Sequence, residues 1–489
     1  MFIGLLAGCG RNPPPAPSVS ALTNGQALAA IVCAQCHTVP SPAHLPPEEW
    51  PYLLAWMGNY LGYPPDREID PRLVVTNFIP PKPVVTREQF DAIRNYFIAQ
   101  SAVQYHLPAQ AEEPPVSPLF EPLPISISNS IISMAAVDPE DHSLIVGTSQ
   151  PSKLLVWKDG ITTPIDTHSE PVTFERLGPL RRIALAGSLG RDMREGQVVD
   201  FNVSNGASRV IVDRHPRISA HRTADLDGDG KPELIVCGFG DYPTGWLGIF
   251  WGGDKTGREE LLLEEPGATW CDVADLNGDG RPDIVVAIGS NRARMILFEN
   301  KDGRHFIPHN IERPVGWGYN RCLLVDWDGD GHPDIVECSG NNLELGGRPL
   351  KTSHGVRVLH NDGQFNFHEV LFEQLFGAMD IAAGDFDGDG RVDLAVTAFC
   401  PDWRLQHPTT FALLMHQADG SVKRWGIDPR YWNRWMRLSA GDVNGDGKID
   451  LVLGAAEVTR GIPVEHLDRF NQMIRGKPSV LVLQNVSHR

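Results

Sequence analysis

Five copies of one nine-residue acidic loop recur in the last two-thirds of the chain. Successive copies are separated by 50, 51, 59 and 57 residues, and a period of this length indicates a repeat architecture with one supersecondary unit per copy. Within each copy, positions 1, 3, 5 and 9 carry carboxylate or amide side chains around a glycine turn, which suits a hard cation bound by oxygen. The copies begin at Asp225, Asp275, Asp326, Asp385 and Asp442.

The four oxygen-bearing positions of each copy are the candidate metal ligands. They are Asp225, Asp227, Asp229 and Glu233; Asp275, Asn277, Asp279 and Asp283; Asp326, Asp328, Asp330 and Asp334; Asp385, Asp387, Asp389 and Asp393; and Asp442, Asn444, Asp446 and Asp450. An EF-hand would need a Glu at loop position 12 and a helix on each side. Only the third copy has that Glu, at Glu337, and the flanking sequences are β-like. Each loop is therefore predicted to join two short strands in a hairpin.

Further strand-like segments follow each hairpin, which predicts four strands per repeat, as in a propeller blade. In the second copy these segments are residues 294–299 and 305–311. Two upstream segments, 133–147 and 178–189, have the strands of a blade without an intact loop, so we expect seven blades. The alternatives are a degraded eighth blade and an open array. The last repeat lacks a fourth strand, and residues 123–128 are expected to complete it so that no edge stays open.

The formal net charge of the 489-residue chain is −18. The five loops hold 18 Asp or Glu at their ligand positions, and one Ca²⁺ per loop would reduce the net charge to about −8. The acidity is therefore mostly a property of the expected metal sites, and it argues against nucleic acid as a partner. No stretch reaches the ~20 apolar residues of a membrane-spanning helix.

The N-terminus combines a short apolar run with a cysteine. Residues 5–9, LLAGC, resemble a bacterial lipobox in which Cys9 is lipidated, and a Pro-rich tether continues to residue 23. No Lys or Arg precedes Cys9 and the apolar run is short, so plain secretion and a ragged gene start are the alternatives. We expect an extracytoplasmic bacterial protein, in the periplasm or at the cell surface, whose membrane contact is the lipid anchor.

Residues 33–37 read CAQCH, the attachment signature of c-type haem. Cys33 and Cys36 would form thioethers to the haem vinyl groups, and His37 would be the proximal iron ligand. A thioredoxin-like redox pair would need a βαβ context, and a zinc site would need two further ligands at suitable spacing. The surrounding sequence favours neither alternative.

The distal haem ligand is less constrained. Met57 is the only methionine between Cys36 and Met134, and methionine ligation raises the potential as an electron carrier requires. The alternatives are His44, His106 or an open position, with Met57 serving only as a core residue.

Three helices are expected around the haem motif. The first covers residues 26–33 and the second residues 48–60. A capping-box pattern at 86–89 opens the third, which places Phe90, Ile93 and Phe97 on one apolar stripe.

Residues 125–489 resemble the FG-GAP/VCBS repeat family of integrin α-subunit propellers, through five matches to D-x-[DN]-G-D-G-x-x-[DE]. The resemblance implies that each loop binds Ca²⁺ between the first two strands of a blade. Residues 24–107 resemble a mono-haem cytochrome c, with 108–124 as a Pro-rich linker. The combination resembles exported bacterial cytochrome–propeller proteins, in which a Trp and a Met follow the haem motif much as Trp50 and Met57 do.

The expected fold class is multidomain: a small all-α cytochrome c domain followed by an all-β seven-bladed β-propeller with Ca-binding loops. The expected cofactors are covalent haem c and about five Ca²⁺. The expected function is one-electron transfer, with the propeller binding a redox partner protein or an extracellular ligand such as a glycan. One alternative is an oxidoreductase whose propeller oxidises a substrate and passes electrons to the haem. Another is an adhesion module. No catalytic residue is nominated.

Two further residue groups leave alternatives open. Cys322 and Cys338 lie four residues outside either end of the third loop, so a symmetric hairpin would place them opposite each other. They would then form a disulfide or remain two buried thiols.

A late cluster of Trp and Arg residues would form either a binding surface or blade core. Its members are Trp403, Trp425, Trp432 and Trp435 with Arg404, Arg430, Arg434 and Arg437.

Overall fold

The computed structural model describes residues 24–35, 39–64, 79–106, 109, 112–187, 193–241, 244–289, 293–311, 318–340, 350–459 and 461–487. The chain divides into two compact units, residues 1–106 and 107–489. Among the described residues, no helix has the length and apolar character required to cross a membrane.

The first unit contains the three helices that the sequence predicts. Asn24 caps the first helix by accepting a hydrogen bond from the backbone N–H of Gln26. The third helix opens with the predicted capping box, in which the side chains of Thr86 and Gln89 each accept from the other's backbone N–H. The helices are α1 (Gly25–Val32), α2 (Trp50–Leu61) and α3 (Arg87–Gln104).

Trp50 organises the core of the first unit. Its ring stacks on Phe97 of α3 with the centroids 4.4 Å apart. Its indole N–H donates to the carbonyls of Pro42 and Leu45, at 3.1 and 3.2 Å, which fixes the segment before α2. Helices α1 and α3 approach closely, because a Cβ at Gly25 would lie 2.1 Å from the carbonyl oxygen of Ala92.

The second unit is a closed ring of seven four-stranded antiparallel sheets, which confirms the prediction of a seven-bladed β-propeller. Blade 1 holds β2 (Ile132–Val137), β3 (Leu144–Thr148), β4 (Lys153–Lys158) and β5 (Ile161–Asp166), and blade 2 holds β6 (Pro171–Leu177), β7 (Leu180–Leu185), β8 (Gly196–Asn202) and β9 (Ser208–His215). Blade 3 holds β10 (Ile218–Ala224), β11 (Glu233–Asp241), β12 (Thr244–Phe250) and β13 (Glu259–Leu263), and blade 4 holds β14 (Ala268–Ala274), β15 (Asp283–Ile288), β16 (Arg294–Asn300) and β17 (Phe306–Ile311).

The remaining blades follow the same order. Blade 5 holds β18 (Tyr319–Val325), β19 (Asp334–Ser339), β20 (Gly355–Asn361) and β21 (Phe367–Gln374), and blade 6 holds β22 (Ala378–Gly384), β23 (Asp393–Ala398), β24 (Phe411–His416) and β25 (Val422–Trp425). Blade 7 holds β26 (Trp435–Gly441), β27 (Asp450–Ala455) and β28 (Val480–Asn485), and β1 (Phe120–Ile125) completes it. A helix, α4 (Leu467–Met473), is inserted between β27 and β28.

Strand β1 closes the ring as the sequence predicts, because it pairs with β28 and supplies the fourth strand of blade 7. It begins at Phe120, three residues before the predicted segment 123–128 and inside the range expected to be linker. The chain before it also packs on the propeller, since Ser117 donates its N–H to the carbonyl of Gly426 at 3.1 Å. The linker is therefore shorter than the expected range 108–124, because its C-terminal part forms hydrogen bonds with blades 6 and 7 and belongs to the propeller.

The register of blade 5 excludes a disulfide between Cys322 and Cys338. Asp334 is already the first residue of β19, so Cys322 pairs with Glu337 and Cys338 pairs with Arg321. Neighbouring residues on a strand point to opposite faces of the sheet, so this one-residue offset separates the two thiols. Both are free and fully buried, and they lie in different hydrophobic clusters.

Ring closure generates a stability prediction. Ile125 lies on β1 and is 4 % exposed, whereas Ile161 occupies the equivalent outermost strand of blade 1 and is 70 % exposed. We expect Ile125→Ala to lower the free energy of unfolding by about 3 kcal/mol, because it leaves a cavity between blades 7 and 1. Ile161→Ala should change the same quantity by less than about 0.5 kcal/mol. Urea unfolding measures both, and equal effects would contradict a closing role for β1.

Candidate cation sites in the blade hairpins

Each acidic loop connects the first and second strands of its blade and folds around its own first carboxylate. In the first copy, the two Asp225 oxygens accept hydrogen bonds from the N–H groups of Gly228 and Gly230, both at 2.9 Å. Both glycines have positive φ, 74° and 81°, which lets the loop turn twice around this carboxylate. The same pair of hydrogen bonds forms around Asp275, Asp326, Asp385 and Asp442.

The ninth-position carboxylate is buried and links three segments of its blade. Asp283 is fully buried at the start of β15. It accepts from the N–H of Leu276 in the loop at 3.1 Å and from the N–H of Asn300 at the end of the third strand at 2.8 Å. Asp334, Asp393 and Asp450 accept the equivalent pair of hydrogen bonds in their own blades.

Burial of this carboxylate is electrostatically costly in the absence of a cation. Burial, together with the negative charges of Asp279 and Asp275, raises the pKa of Asp283 to about 6. Burial and the charges of Asp387 and Asp389 raise the pKa of Asp393 to about 7. A divalent cation beside these groups would favour their charged form.

Three of the five loops bring a set of carboxylate oxygens within 4.8 Å of one another. In the second and fifth copies the third-position amide instead donates to the fifth-position carboxylate, from Asn277 to Asp279 at 3.0 Å and from Asn444 to Asp446 at 3.4 Å. The two amide oxygens accept from the backbone N–H groups of Asp279 and Asp446, at 3.1 and 2.9 Å, so rotation of an amide toward an ion would break that hydrogen bond. The converging sets are Asp225, Asp227 and Asp229; Asp326, Asp328 and Asp330; and Asp385, Asp387 and Asp393.

An asparagine at the end of the third strand connects neighbouring loops. Asn361 of blade 5 is fully buried, and its amide donates to the carbonyl of Leu276 in the blade 4 loop at 2.8 Å and to that of Pro333 in its own loop at 3.1 Å. Asn300 and Asn485 make the equivalent contacts to the loops of blades 3 and 6. Neighbouring hairpin loops are thus joined by buried hydrogen bonds, a connection that the sequence analysis missed. The recurrence of Asn, 17 residues after Asp283 and 27 after Asp334, was its only signal.

One junction replaces this asparagine with histidine, and another is made by a histidine in the hairpin loop of blade 1. In blade 6, His416 occupies the position and stacks on Trp327 of the blade 5 loop, with ring centroids 4.1 Å apart and planes 9° apart. Between blades 1 and 7, Nδ1 of His142 lies 2.8 Å from the carbonyl oxygen of Asp442. Different side chains can therefore connect two blades, provided that they contact the neighbouring loop.

In blade 1, guanidinium groups of blade 2 contact the carboxylates of the degraded loop. Asp138, which follows β2, is fully buried and accepts from Arg176 and Arg181 of blade 2, both at 2.8 Å. Arg181 also donates to Asp141 at 2.6 Å and to the Ser143 hydroxyl at 2.9 Å. The sequence predicted that this loop was degraded, and the structure shows which cations neutralise its remaining carboxylates. In blade 2 a tight turn at Gly178 joins β6 and β7, leaving no loop for ligands.

The expected haem residues are only partly described. Cys36 and His37 lie outside the described residues, as does Cys9. Cys33 directly follows α1 and is half-buried against the core of the first unit. Met57 on α2 is half-buried, and the other candidate distal ligands, His44 and His106, are half-buried and exposed.

The late Trp and Arg cluster is mostly blade core. Trp403 and Trp432 pack with Phe470 of α4 in one buried cluster, and Trp435 is fully buried between blades 6 and 7. Arg434 is also fully buried and donates to the carbonyl of Phe399 at 2.7 Å. These residues therefore do not form an exposed aromatic surface.

Comparison with known proteins supports the repeat assignment. Residues 225–286, 275–337 and 347–396 match the FG-GAP-like repeat. Asp442 lies outside these ranges, yet its loop has the same hydrogen bonds as the matched ones. Comparison with curated proteins gave no match. The chain thus carries FG-GAP-like repeats on a seven-bladed β-propeller.

Three solved structures of similar fold have low identity to this chain and TM-scores below 0.5. The calcium-binding protein regucalcin from Agrobacterium tumefaciens strain C58 is 9% identical, with a TM-score of 0.39, over 74% of this chain and 91% of that chain. A chain of the mitotic checkpoint complex is 10% identical, with a TM-score of 0.48, over 78% and 99%. A luciferin-regenerating enzyme is 10% identical, with a TM-score of 0.38, over 57% and 88%.

The guanidinium cluster of blade 1 makes a testable prediction. Arg181→Met should lower the free energy of unfolding by about 3 kcal/mol, because it removes a hydrogen-bonded cation from the buried Asp138 carboxylate. Adding Asp138→Asn to that variant should restore part of the loss. The control, Arg258→Met, removes an exposed pair with Glu260 and should cost less than about 1 kcal/mol. Urea unfolding in EGTA measures all three variants, and failure of Asp138→Asn to restore stability would contradict the assigned role.

Proposed function

We propose that this protein is an extracytoplasmic c-type cytochrome that transfers single electrons, and that its Ca²⁺-stabilised propeller binds a redox partner protein or an extracellular ligand such as a glycan. The observation that carries the proposal is the CAQCH sequence at residues 33–37. Lipidation of Cys9 would hold the protein at a membrane outside the cytoplasm.

The described part of the first unit is compatible with covalent haem. Helix α1 ends where the motif begins, so it places Cys33 at the edge of the core of the first unit. When bound, haem supplies one-electron redox chemistry. The chain's contribution is to hold the ligands: Trp50 fixes the segment before α2, and α2 carries Met57, the proposed distal ligand.

Covalent haem is tested by expression with a cytochrome c maturation system, followed by a pyridine haemochrome spectrum of the denatured protein. The wild-type protein should show covalent c-type haem, and Cys33→Ser with Cys36→Ser should lose it because no thioether can form. Cys338→Ala, which removes a buried propeller thiol, should retain it. Absence of covalent haem from the wild-type protein would refute the proposal.

The distal ligand is tested by the visible spectrum of the folded protein. Met57→Ala should convert a low-spin, six-coordinate spectrum to a high-spin one, because the iron loses its sixth ligand. Met193→Ala changes a 43 % exposed propeller methionine and should leave the spectrum unchanged. A low-spin spectrum in Met57→Ala would exclude Met57 and direct the same experiment to His44 and His106.

The geometry of the five loops supports calcium as their cation. Their side-chain donors are oxygens, which Ca²⁺ prefers, and the loop backbone holds the first carboxylate in place before any ion binds. The buried ninth carboxylate joins the loop to the second and third strands. Calcium bound there would therefore stabilise the blade, and this role is structural.

Calcium binding is tested by removing one ligand that makes no contact with another strand. Asp387→Ala should reduce the calcium stoichiometry by one and reduce the stabilisation that calcium provides, by about 2.7 kcal/mol at a concentration 100 times the Kd. Asp166→Ala, whose carboxylate is 88 % exposed and pairs with Lys153, should change neither quantity. Calorimetry and thermal unfolding with and without EGTA measure them. A Tm that EGTA leaves unchanged in the wild-type protein would exclude a stabilising calcium.

A further inference from the structure

An axial cavity lies where the first strands of the seven blades converge. Its volume is ≈ 280 Å³, and each blade contributes to its wall from its innermost strand. This size suits a small organic molecule better than a drug-sized ligand. The contributing side chains include Met134, Thr173, Arg222, Trp270, Arg321, Asp380 and Arg437.

Two arginines of the cavity wall lie over the ring of one tryptophan, and each arginine has an acidic partner. Arg222 and Arg321 lie over the Trp270 ring, 4.6 and 4.0 Å from its centroid. Arg222 pairs with Asp272 at 3.0 Å, and Arg321 pairs with Asp380. These contacts hold both guanidinium groups in place beside the cavity.

Arg437, on the blade 7 side of the cavity, has no acidic partner among the described residues within ion-pair distance. Its Nε is buried without a hydrogen-bond partner, and Nε of Arg321 is in the same condition. Asp380 influences Arg437 electrostatically but is already occupied, since it accepts from Arg321 and from the N–H groups of Ile381 and Leu438, both at 3.0 Å. Arg321, Arg437 and Asp380 together therefore carry one excess positive charge, and Glu175 is a further carboxylate in the cavity lining.

Buried donors without partners are rare, since each costs about 1–3 kcal/mol. Burial and the nearby charge of Arg321 also lower the pKa of Arg437, against the opposing effect of Asp380. Because both Nε atoms are buried, a carboxylate in the cavity between Arg437 and Arg321 would accept from the terminal N–H groups of the two side chains and offset the excess charge.

The part of the cavity formed by blades 1 and 2 includes apolar residues beside polar ones, and the apolar residues suit the remainder of the ligand. Blades 1 and 2 contribute Met134, Val137 and Val172, and Leu438 continues this surface. Glu175 also lines the cavity, but Thr223 engages its oxygens through its N–H at 3.1 Å and its hydroxyl at 2.6 Å. The negative charge of Glu175 would repel a ligand with two negative charges. The cavity lining as a whole therefore suits a monoanion with an apolar body.

We propose that the axial cavity binds a small organic monocarboxylate, with its carboxylate on Arg437 and Arg321 and its apolar part against blades 1 and 2. This site is separate from the hairpin cation sites, and the proposal does not require haem.

The test uses the full-length protein in calcium, with benzoate and hexanoate as probes and inorganic phosphate as the comparison anion. Calorimetry and saturation-transfer NMR should show saturable binding of at least one carboxylate, and weaker binding of phosphate. Arg437→Met should weaken carboxylate binding at least tenfold, because it removes the unpaired guanidinium. Arg430→Met removes an 81 % exposed side chain outside the cavity and should leave binding unchanged.

The variant should fold, because Arg437 forms no ion pair that the substitution would break. If its Tm falls markedly, Arg437→Lys keeps the charge but loses the planar fork, and it should weaken binding by a smaller factor. The proposal is overturned if neither carboxylate binds saturably, or if the Arg437 variants bind as the wild-type protein does. Phosphate binding as tight as benzoate binding would overturn the organic-ligand assignment.

Discussion

A buried carboxylate at the start of the second strand is the constraint on which the intact blades depend. It accepts backbone hydrogen bonds from the loop before it and from the end of the third strand, so one side chain joins the loop, the second strand and the third strand of its blade. The same group faces a cluster of further acidic side chains, and burial with their charge raises its pKa, to about 7 at Asp393. A group that is needed for backbone hydrogen bonding thereby creates a demand for a cation.

Different side chains connect the hairpin loops at different junctions between blades. Buried asparagines connect the loops of blades 3 and 4, 4 and 5, and 6 and 7. A stacked Trp–His pair connects blades 5 and 6. Where the acidic loop is lost, in blade 1, Arg176 and Arg181 bring fixed positive charge from blade 2 to the buried Asp138. We infer that guanidinium groups substitute structurally for a metal ion in that blade.

The axial cavity differs from the hairpin loops in the sign of its charged groups. The hairpin loops concentrate carboxylates, while the axial cavity contains Arg437, which has no ion-pair partner among the described residues. Both are polar groups held in place by the surrounding sheet, and both gain most from a ligand of opposite charge, because desolvated charges are costly when unpaired. The proposed cation sites in the hairpins and the proposed carboxylate site at the axis therefore lie in separate parts of the propeller.

The sequence alone determined the repeat, the four-stranded blades, their number and the closing strand, because these follow from local alternation, turn residues and the need to leave no open edge. It also located the helix caps and the loop carboxylates. Tertiary structure decided what depends on register and on contacts between blades: the opposite orientations of Cys322 and Cys338, the asparagine connections, and the Arg181 contact with Asp138. A one-residue change in pairing reverses the face of every side chain, and partners more than 40 residues apart leave no periodic signal in the chain.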